Sequence, residues 1–490
     1  MLVKNLSLKN ELPIFALSLL LGLLTTINVL YPFALLAAFF FCIFALERFD
    51  DFVILLVFYL PFQLALNVAA GFDVASGRVL ILFVLLVWTF KSLKDGRFAI
   101  NFSLQTLLVC LFLFFAGLSF LQVFEMDRAI RKMLVFLSVF PLYFVLTSFP
   151  PSKELVLKIL KALFAGVFFI SFFAVLQFMA QFIFGINPLF SFFAKVIAPV
   201  FYGNSFAAEV VANPSWLVNV GGITLLRSFA IFSDPHIFSF YLGLIIPLLF
   251  SFLLIDKESF AKDKILGHRK IIWLAFFFSL LAELFTFSRG GYVGMVASFL
   301  VMIFLFRKDL GKIRKKYFGT VLLSIVLALF FFGQAVLARF VSMFNLREGS
   351  NVERFKNWQQ GLETFCGNFF QGVGIGNYSF FLDPTTAYRT PIYAHNLYLD
   401  LGAELGIFAL LAWVLLICVT VYELYIFGRR SKDAITSRIA LGLIGSLIWY
   451  SAHSFFDTSI YAPNILAIFM VVLSLAVLVI RCVKIEKGRE

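Results

Sequence analysis

Charge is what this 490-residue sequence has least of: Asp, Glu, Lys and Arg make up 14% of it, where a soluble domain carries about 25%, while hydrophobic residues reach 62%. The shortage excludes a soluble globular enzyme, and a mean hydropathy of +0.99 leaves a polytopic membrane protein. Cysteine is scarce too. Cys42, Cys110 and Cys418 fall inside apolar runs, Cys482 at the end of the last run and Cys366 in a loop, so no intramolecular disulfide or CxxC site is available. The four histidines, His236, His268, His395 and His453, are far apart and lack HExxH spacing, so neither a metal nor another cofactor is expected. No A-x-A cleavage pattern follows the first apolar run, Pro13 to Val29, which reads as a retained first helix.

A run of about 20 apolar residues is needed to cross about 30 Å of hydrocarbon. Fourteen candidates lie near 13–29, 31–46, 52–69, 79–91, 104–122, 133–149, 159–184, 236–255, 271–287, 292–306, 320–337, 403–427, 439–455 and 464–481. Only Tyr31-Pro32 separates the first two, and the fourth and tenth are short, so the expected fold is an all-α bundle of 12 to 14 transmembrane helices. Loop charges orient it. With the amino terminus inside, the cytoplasmic segments hold 27 of the 40 basic residues, most densely in RKDLGKIRKK (307–316) and GRRSK (428–432). The net charge of +13 therefore reflects topology and does not imply nucleic acid as a partner. The expected organisation is N-terminal helices (1–184), an outer loop (185–235), core helices (236–337), a second outer loop (338–402) between the eleventh and twelfth helices, and C-terminal helices with a cytoplasmic tail (403–490).

Both outer loops are too long to be mere connections. The first carries NPLFSFFAKVIAPVFYG (187–203), read as a re-entrant or interfacial segment, and ends in Asp234-Pro235, an N-cap followed by proline at the first helical position. In the second, Ser350-Asn-Val-Glu353 reads as a capping box, and Val352, Phe355, Trp358, Leu362 and Phe365 fall on one stripe of a surface helix. GVGIGNYSFF follows. Without a βαβ context its glycines read as a tight loop, not a nucleotide cradle.

Three strings share the outer side: LLRSFAIFSDPH with Arg227, TFSRGGYVG with Arg289, and AHNLYLDLGAELG with His395. Charged residues at membrane-helix ends are costly and so are usually functional. Two cations and an imidazole suit a phosphate-bearing substrate reached from outside.

The order of these strings, with Ser350, Arg354 and Trp358 between them and His453-x3-Asp457 after them, is similar to the O-antigen ligase and polymerase family across about 227–463. One departure is Ala409, where members tend to have Gly, Thr or Tyr three residues after the glycine that is Gly406 here. The resemblance implies a glycosyltransferase of the GT-C kind in the bacterial inner membrane, working at the periplasmic or exterior face without nucleotide sugar or metal. Its partners would be a glycan on undecaprenyl diphosphate as donor and lipid A core, another glycan or a protein as acceptor, within membrane lipid.

On that reading Arg227 and Arg289 stabilise the departing diphosphate by bidentate bonds. His395 accepts or shares the proton of the acceptor hydroxyl. Asn396 and Glu404 either orient His395 or cap the helix that follows it. Arg354, Arg339 and Arg389 supply a basic lining, and Asp457 is placed on the substrate side, a polar contact within the bundle being its plainer role. A flippase or transporter of lipid-linked glycan is the alternative. It would show repeated halves with broken helices and mid-membrane polar groups, whereas the polar residues here crowd at the outer end of the second half.

Overall fold

The computed structural model describes residues 30–69, 72–96, 98, 100–212, 214–220, 222–255, 260, 268–306, 349–388 and 391–488. The expected first and eleventh spans (13–29 and 320–337) lie outside the described residues, as do Arg339 and Arg389. The described part is a multi-pass membrane protein. It holds eight helices long and apolar enough to cross a membrane.

In chain order the helices are α1 (Leu30–Glu47), α2 (Phe49–Tyr59), α3 (Ser76–Lys94), α4 (Leu104–Leu118), α5 (Met126–Val139), α6 (Pro141–Ser148) and α7 (Lys153–Phe184). Then come α8 (Ile186–Phe192), α9 (Ala198–Tyr202), α10 (Asn204–Ala212), α11 (Pro235–Leu253), α12 (Arg269–Thr286) and α13 (Arg289–Phe306). The last are α14 (Gly349–Gly367), α15 (Tyr378–Leu382), α16 (Leu397–Arg430), α17 (Ala434–His453) and α18 (Pro463–Gly488).

Several long helices start where a short polar side chain can satisfy an orphan amide. Ser103 caps α4, Ser152 caps α7, Asp433 caps α17, and Asp234 with Pro235 starts α11. α18 is apolar around its whole circumference from Ile465 to Ile480, and nearly all of it is buried. Such a helix belongs at the centre. It packs against α5, α6, α7, α11, α16 and α17. By contrast α3 and α4 turn Leu86, Phe90, Leu107 and Phe114 outward, as lipid-facing helices do.

One apolar run departs from the sequence reading. The run at 52–69 is helical only to Phe62, and Ala65–Ala69 (β1) instead pairs antiparallel with Phe72–Ala75 (β2). Asp73 of this hairpin accepts from the amides of Ser205 and Phe206 and so starts α10. The first outer loop is likewise folded, into α8 to α10 and the hairpin of Leu217–Val220 (β3) with Ile223–Leu226 (β4). The expected stripe on α14 also splits. Phe365 packs against Gly402 of α16, while Val352, Phe355 and Leu362 stay half exposed.

A candidate active site at one end of the bundle

The starts of α11, α13 and α16 and the ends of α7, α12 and α17 meet at one end. The segment carrying Arg227 is fixed there by two amides of α7. Gln181 exchanges two hydrogen bonds with the backbone of Leu226 at 2.8 and 3.0 Å. Gln177 donates to the Arg227 carbonyl at 3.1 Å and accepts from the amides of Phe229 and Ala230 at 3.1 and 2.8 Å. Irregular backbone at membrane depth needs such partners.

The Arg227 guanidinium donates from Nε to the Thr286 carbonyl at 2.6 Å and from Nη1 to the Ser215 carbonyl at 2.9 Å. Its Nη groups also stand 3.4 and 3.3 Å from His236 Nε2. Burial lowers the Arg227 pKa, with the Asp234 charge opposing. Because guanidinium only donates, His236 Nε2 presents its lone pair and Nδ1 carries the hydrogen. That Nδ1 lies 3.0 Å from Ser288 Oγ and 3.6 Å from Asp457 Oδ2.

Asp457 is the hub. Its Oδ1 accepts from His395 Nδ1 at 3.2 Å, so two imidazoles face one carboxylate. Burial pushes the Asp457 carboxyl up, yet His395, His236 and the Arg354 charge hold it well below the ordinary carboxylate range. Burial likewise opposes protonation of His395, but the hydrogen bond and charge of Asp457 outweigh it and raise its pKa. The His395 side chain is 43% exposed, and its Nε2 has no hydrogen-bond partner among the described residues. Ser288 reaches on to His453 Nε2 at 3.4 Å, and His453 stacks on Phe240 with centroids 3.7 Å apart. A Cβ at Gly290 would come within 2.5 Å of that imidazole, which is why SRGG opens α13 here.

The structure thus groups His395, Asp457 and Arg227 through His236. Arg289 is buried and adjoins Ser288 in sequence; Arg354 on α14 is near enough for its charge to bear on His395, Asp457 and Arg227. Asn396 spends its carbonyl oxygen capping α16, at 3.0 Å from the Tyr398 amide and 3.3 Å from the Leu399 amide.

Glu404 belongs to a neighbouring buried cluster. Lys132 of α5 pairs with it at 2.7 Å, the Gly376 amide donates to it at 3.0 Å, and the Tyr461 hydroxyl donates as well. The Lys132 ammonium lies 3.8 Å from the centre of the Tyr461 ring. Gly376 has φ +76° and a Cβ there would meet the Arg128 backbone at 2.8 Å, so GVGIG is a tight loop against α5. Both charges of the pair are buried, and breaking such a pair leaves a bare charge inside. Lys132→Met is expected to cost about 3–5 kcal/mol and to lower Tm in detergent. Lys132→Met with Glu404→Gln should recover most of the loss. An unchanged Tm for the single variant would contradict the assignment.

No motif in the sequence marks His236, Ser288, Lys132, Gln177 or Gln181 as site residues. The available signal was polar side chains on otherwise apolar helices, near the ends that the loop charges place outside.

The fold and site define a multi-pass membrane protein with a histidine–carboxylate pair backed by arginines at one end of its bundle. Residues 274–414 match the family model described as O-Antigen ligase, so the chain carries an O-antigen ligase family domain. The match includes Arg289, Arg354, His395 and Glu404; Arg227, His236 and Asp457 lie outside it. The chain is also 25% identical over 225 residues to the teichuronic acid biosynthesis protein TuaE of Bacillus subtilis (strain 168), a stretch covering 44% of this chain and 46% of that protein. The alignment therefore spans just under half the length of that relative.

Proposed function

We propose that this protein is a glycosyltransferase that moves a glycan from undecaprenyl diphosphate to an acceptor hydroxyl, on the outer side of the bacterial cytoplasmic membrane, in surface polysaccharide biosynthesis. The observation that carries the reading is the His395–Asp457 pair, 3.2 Å apart, with Nε2 of His395 left open. A sugar hydroxyl is a poor nucleophile, and a neutral imidazole oriented by a carboxylate can take its proton. As the acceptor oxygen bonds to the anomeric carbon, the proton passes to Nε2. The bond from that carbon to the diphosphate oxygen breaks, and its electron pair leaves with undecaprenyl diphosphate. Arg289 and Arg354 receive that growing charge. Arg227, held by Thr286, Ser215 and His236, adds its positive charge beside them and orients His236.

The family domain supports lipid-linked glycan as donor, and the relative's role in teichuronic acid biosynthesis supports a surface polysaccharide as product. The outward orientation rests on basic residues at the opposite end of the bundle, among them Lys91, Lys94, Lys153, Arg429, Arg430 and Lys484, as cytoplasmic loops require. The acceptor class is lipid A core or another glycan.

Loss of the gene tests the reading. A ligase-type deletion is expected to accumulate long glycan on undecaprenyl diphosphate with bare acceptor, and a polymerase-type deletion to leave acceptor carrying one repeat unit. Unchanged surface polysaccharide would overturn the proposal.

A further inference from the structure

His395 has φ +50°, a left-handed conformation that a non-glycine residue keeps only when its surroundings enforce it. The Leu397 amide donates to the Ser454 carbonyl at 2.8 Å, and Asn396 caps α16. On the other side of His395, the Ala394 amide donates to Asp400 Oδ1 at 2.8 Å, in a fully buried setting closed by Gly361 of α14. The second oxygen of the same carboxylate, Asp400 Oδ2, accepts from the Thr458 hydroxyl. Thr458 follows Asp457, and its own amide donates to Asp457 Oδ1 at 3.1 Å. One side chain therefore holds the residue before His395 and the residue after Asp457.

We propose that Asp400 is a positioning residue for the proton-accepting pair: its two carboxylate oxygens tie Ala394 to Thr458 and so set the separation and alignment of His395 and Asp457. This inference rests on the proposed glycosyl transfer for its kinetic consequence, but its geometric content is independent of that reaction. Asp400 makes no hydrogen bond to His395 and touches no reacting atom, so beyond the pull of its charge it acts through the pair. The charged groups facing His395 are Asp457 from the turn after α17, Arg354 from α14 and Asp400 itself, with His236 of α11 on the far side of Asp457. Loosening the brace weakens the Asp457 contact that favours the charged imidazole. His395 then deprotonates at lower pH, while the hydroxyl is less well served by a misaligned base.

Two readouts on protein purified in lipid test this. The first is the pH dependence of His395 modification by diethylpyrocarbonate, read by mass spectrometry, which needs no glycosyl transfer. The second is kcat and donor KM with a lipid-diphosphate glycan. Asp400→Ala is expected to move the His395 titration to lower pH, lower kcat at least tenfold and leave donor KM within about twofold. Asp400→Asn can still accept from Ala394 and bond Thr458, and it should retain a third or more of the wild-type kcat. Thr458→Val, a smaller change, should shift the titration in the same direction and serves if Asp400→Ala does not fold. An unmoved titration in Asp400→Ala, or in Thr458→Val where that variant stands in for it, overturns the proposal. Asn behaving as poorly as Ala in a folded protein also overturns it, since charge alone would then be the cause. A shifted titration in a protein that transfers no glycan leaves the brace standing and rejects the glycosyltransferase reading.

Discussion

Arg289→Lys is expected to remove most glycan transfer although the positive charge remains. Arg289 opens α13 directly after Ser288, is 4% exposed and sits where Gly290 lets the helix press against His453. On the proposed reaction its guanidinium binds diphosphate as a planar fork, which an ammonium point charge cannot reproduce. Arg289→Ala should go further. Losing one preorganised charged donor to a developing anion costs about 10² to 10³ in kcat. Steady-state kinetics on purified variants with a lipid-diphosphate glycan measures both effects. Wild-type turnover by Arg289→Ala would reject the residue as a diphosphate ligand.

The second large effect concerns His395 and its carboxylate partner. His395→Ala should abolish transfer while leaving donor binding largely intact, because a general base contributes about 10² to 10⁴ in rate and does not hold the diphosphate. The pH profile carries more information. Asp457 stabilises the charged imidazole, and the proposed transfer needs the neutral one. The rate of the wild type should therefore rise with pH through a midpoint above the ordinary histidine value of about 6.5. In Asp457→Asn the main support is gone, and burial with the Arg354 charge outweighs what Asp400 still contributes, so the acid limb should move to lower pH while the maximal rate falls. An acid limb that stays in place in Asp457→Asn would separate the two residues functionally.

The features legible in the sequence were those written locally. Apolar runs of membrane length and the cap at Asp234-Pro235 are decided within about twenty residues, and at the runs among the described residues the structure has helices, at 52–69 only in part. SRGG and HNLYLDLGAELG stood out because polar residues at the end of an apolar helix are expensive. What was not legible depends on pairing across the chain. The 52–69 run is apolar enough to continue a helix, but Pro61 falls at its end and Ala65–Ala69 finds a strand partner in Phe72–Ala75. Lys132 falls one residue before the run at 133–149, whereas α5 begins at Met126 and buries it against Glu404, 272 residues away. His236 looked like an isolated histidine in the first turn of α11, and only the fold brings Arg227, Ser288 and Asp457 around it. The apolar stripe of α14 has helical spacing, yet spacing does not say which part meets protein and which meets lipid headgroups. Val352, Phe355 and Leu362 are half exposed, whereas Phe365 packs against Gly402.

The most direct test of the central claim is reconstitution of the purified protein into vesicles with a radiolabelled glycan on undecaprenyl diphosphate and an acceptor carrying free hydroxyls. The expected result is a new glycosidic product, released undecaprenyl diphosphate in equal amount, and loss of both in His395→Ala. Label carried across the bilayer with no glycosidic bond formed would contradict it and identify the protein as a transporter of the same lipid-linked glycan.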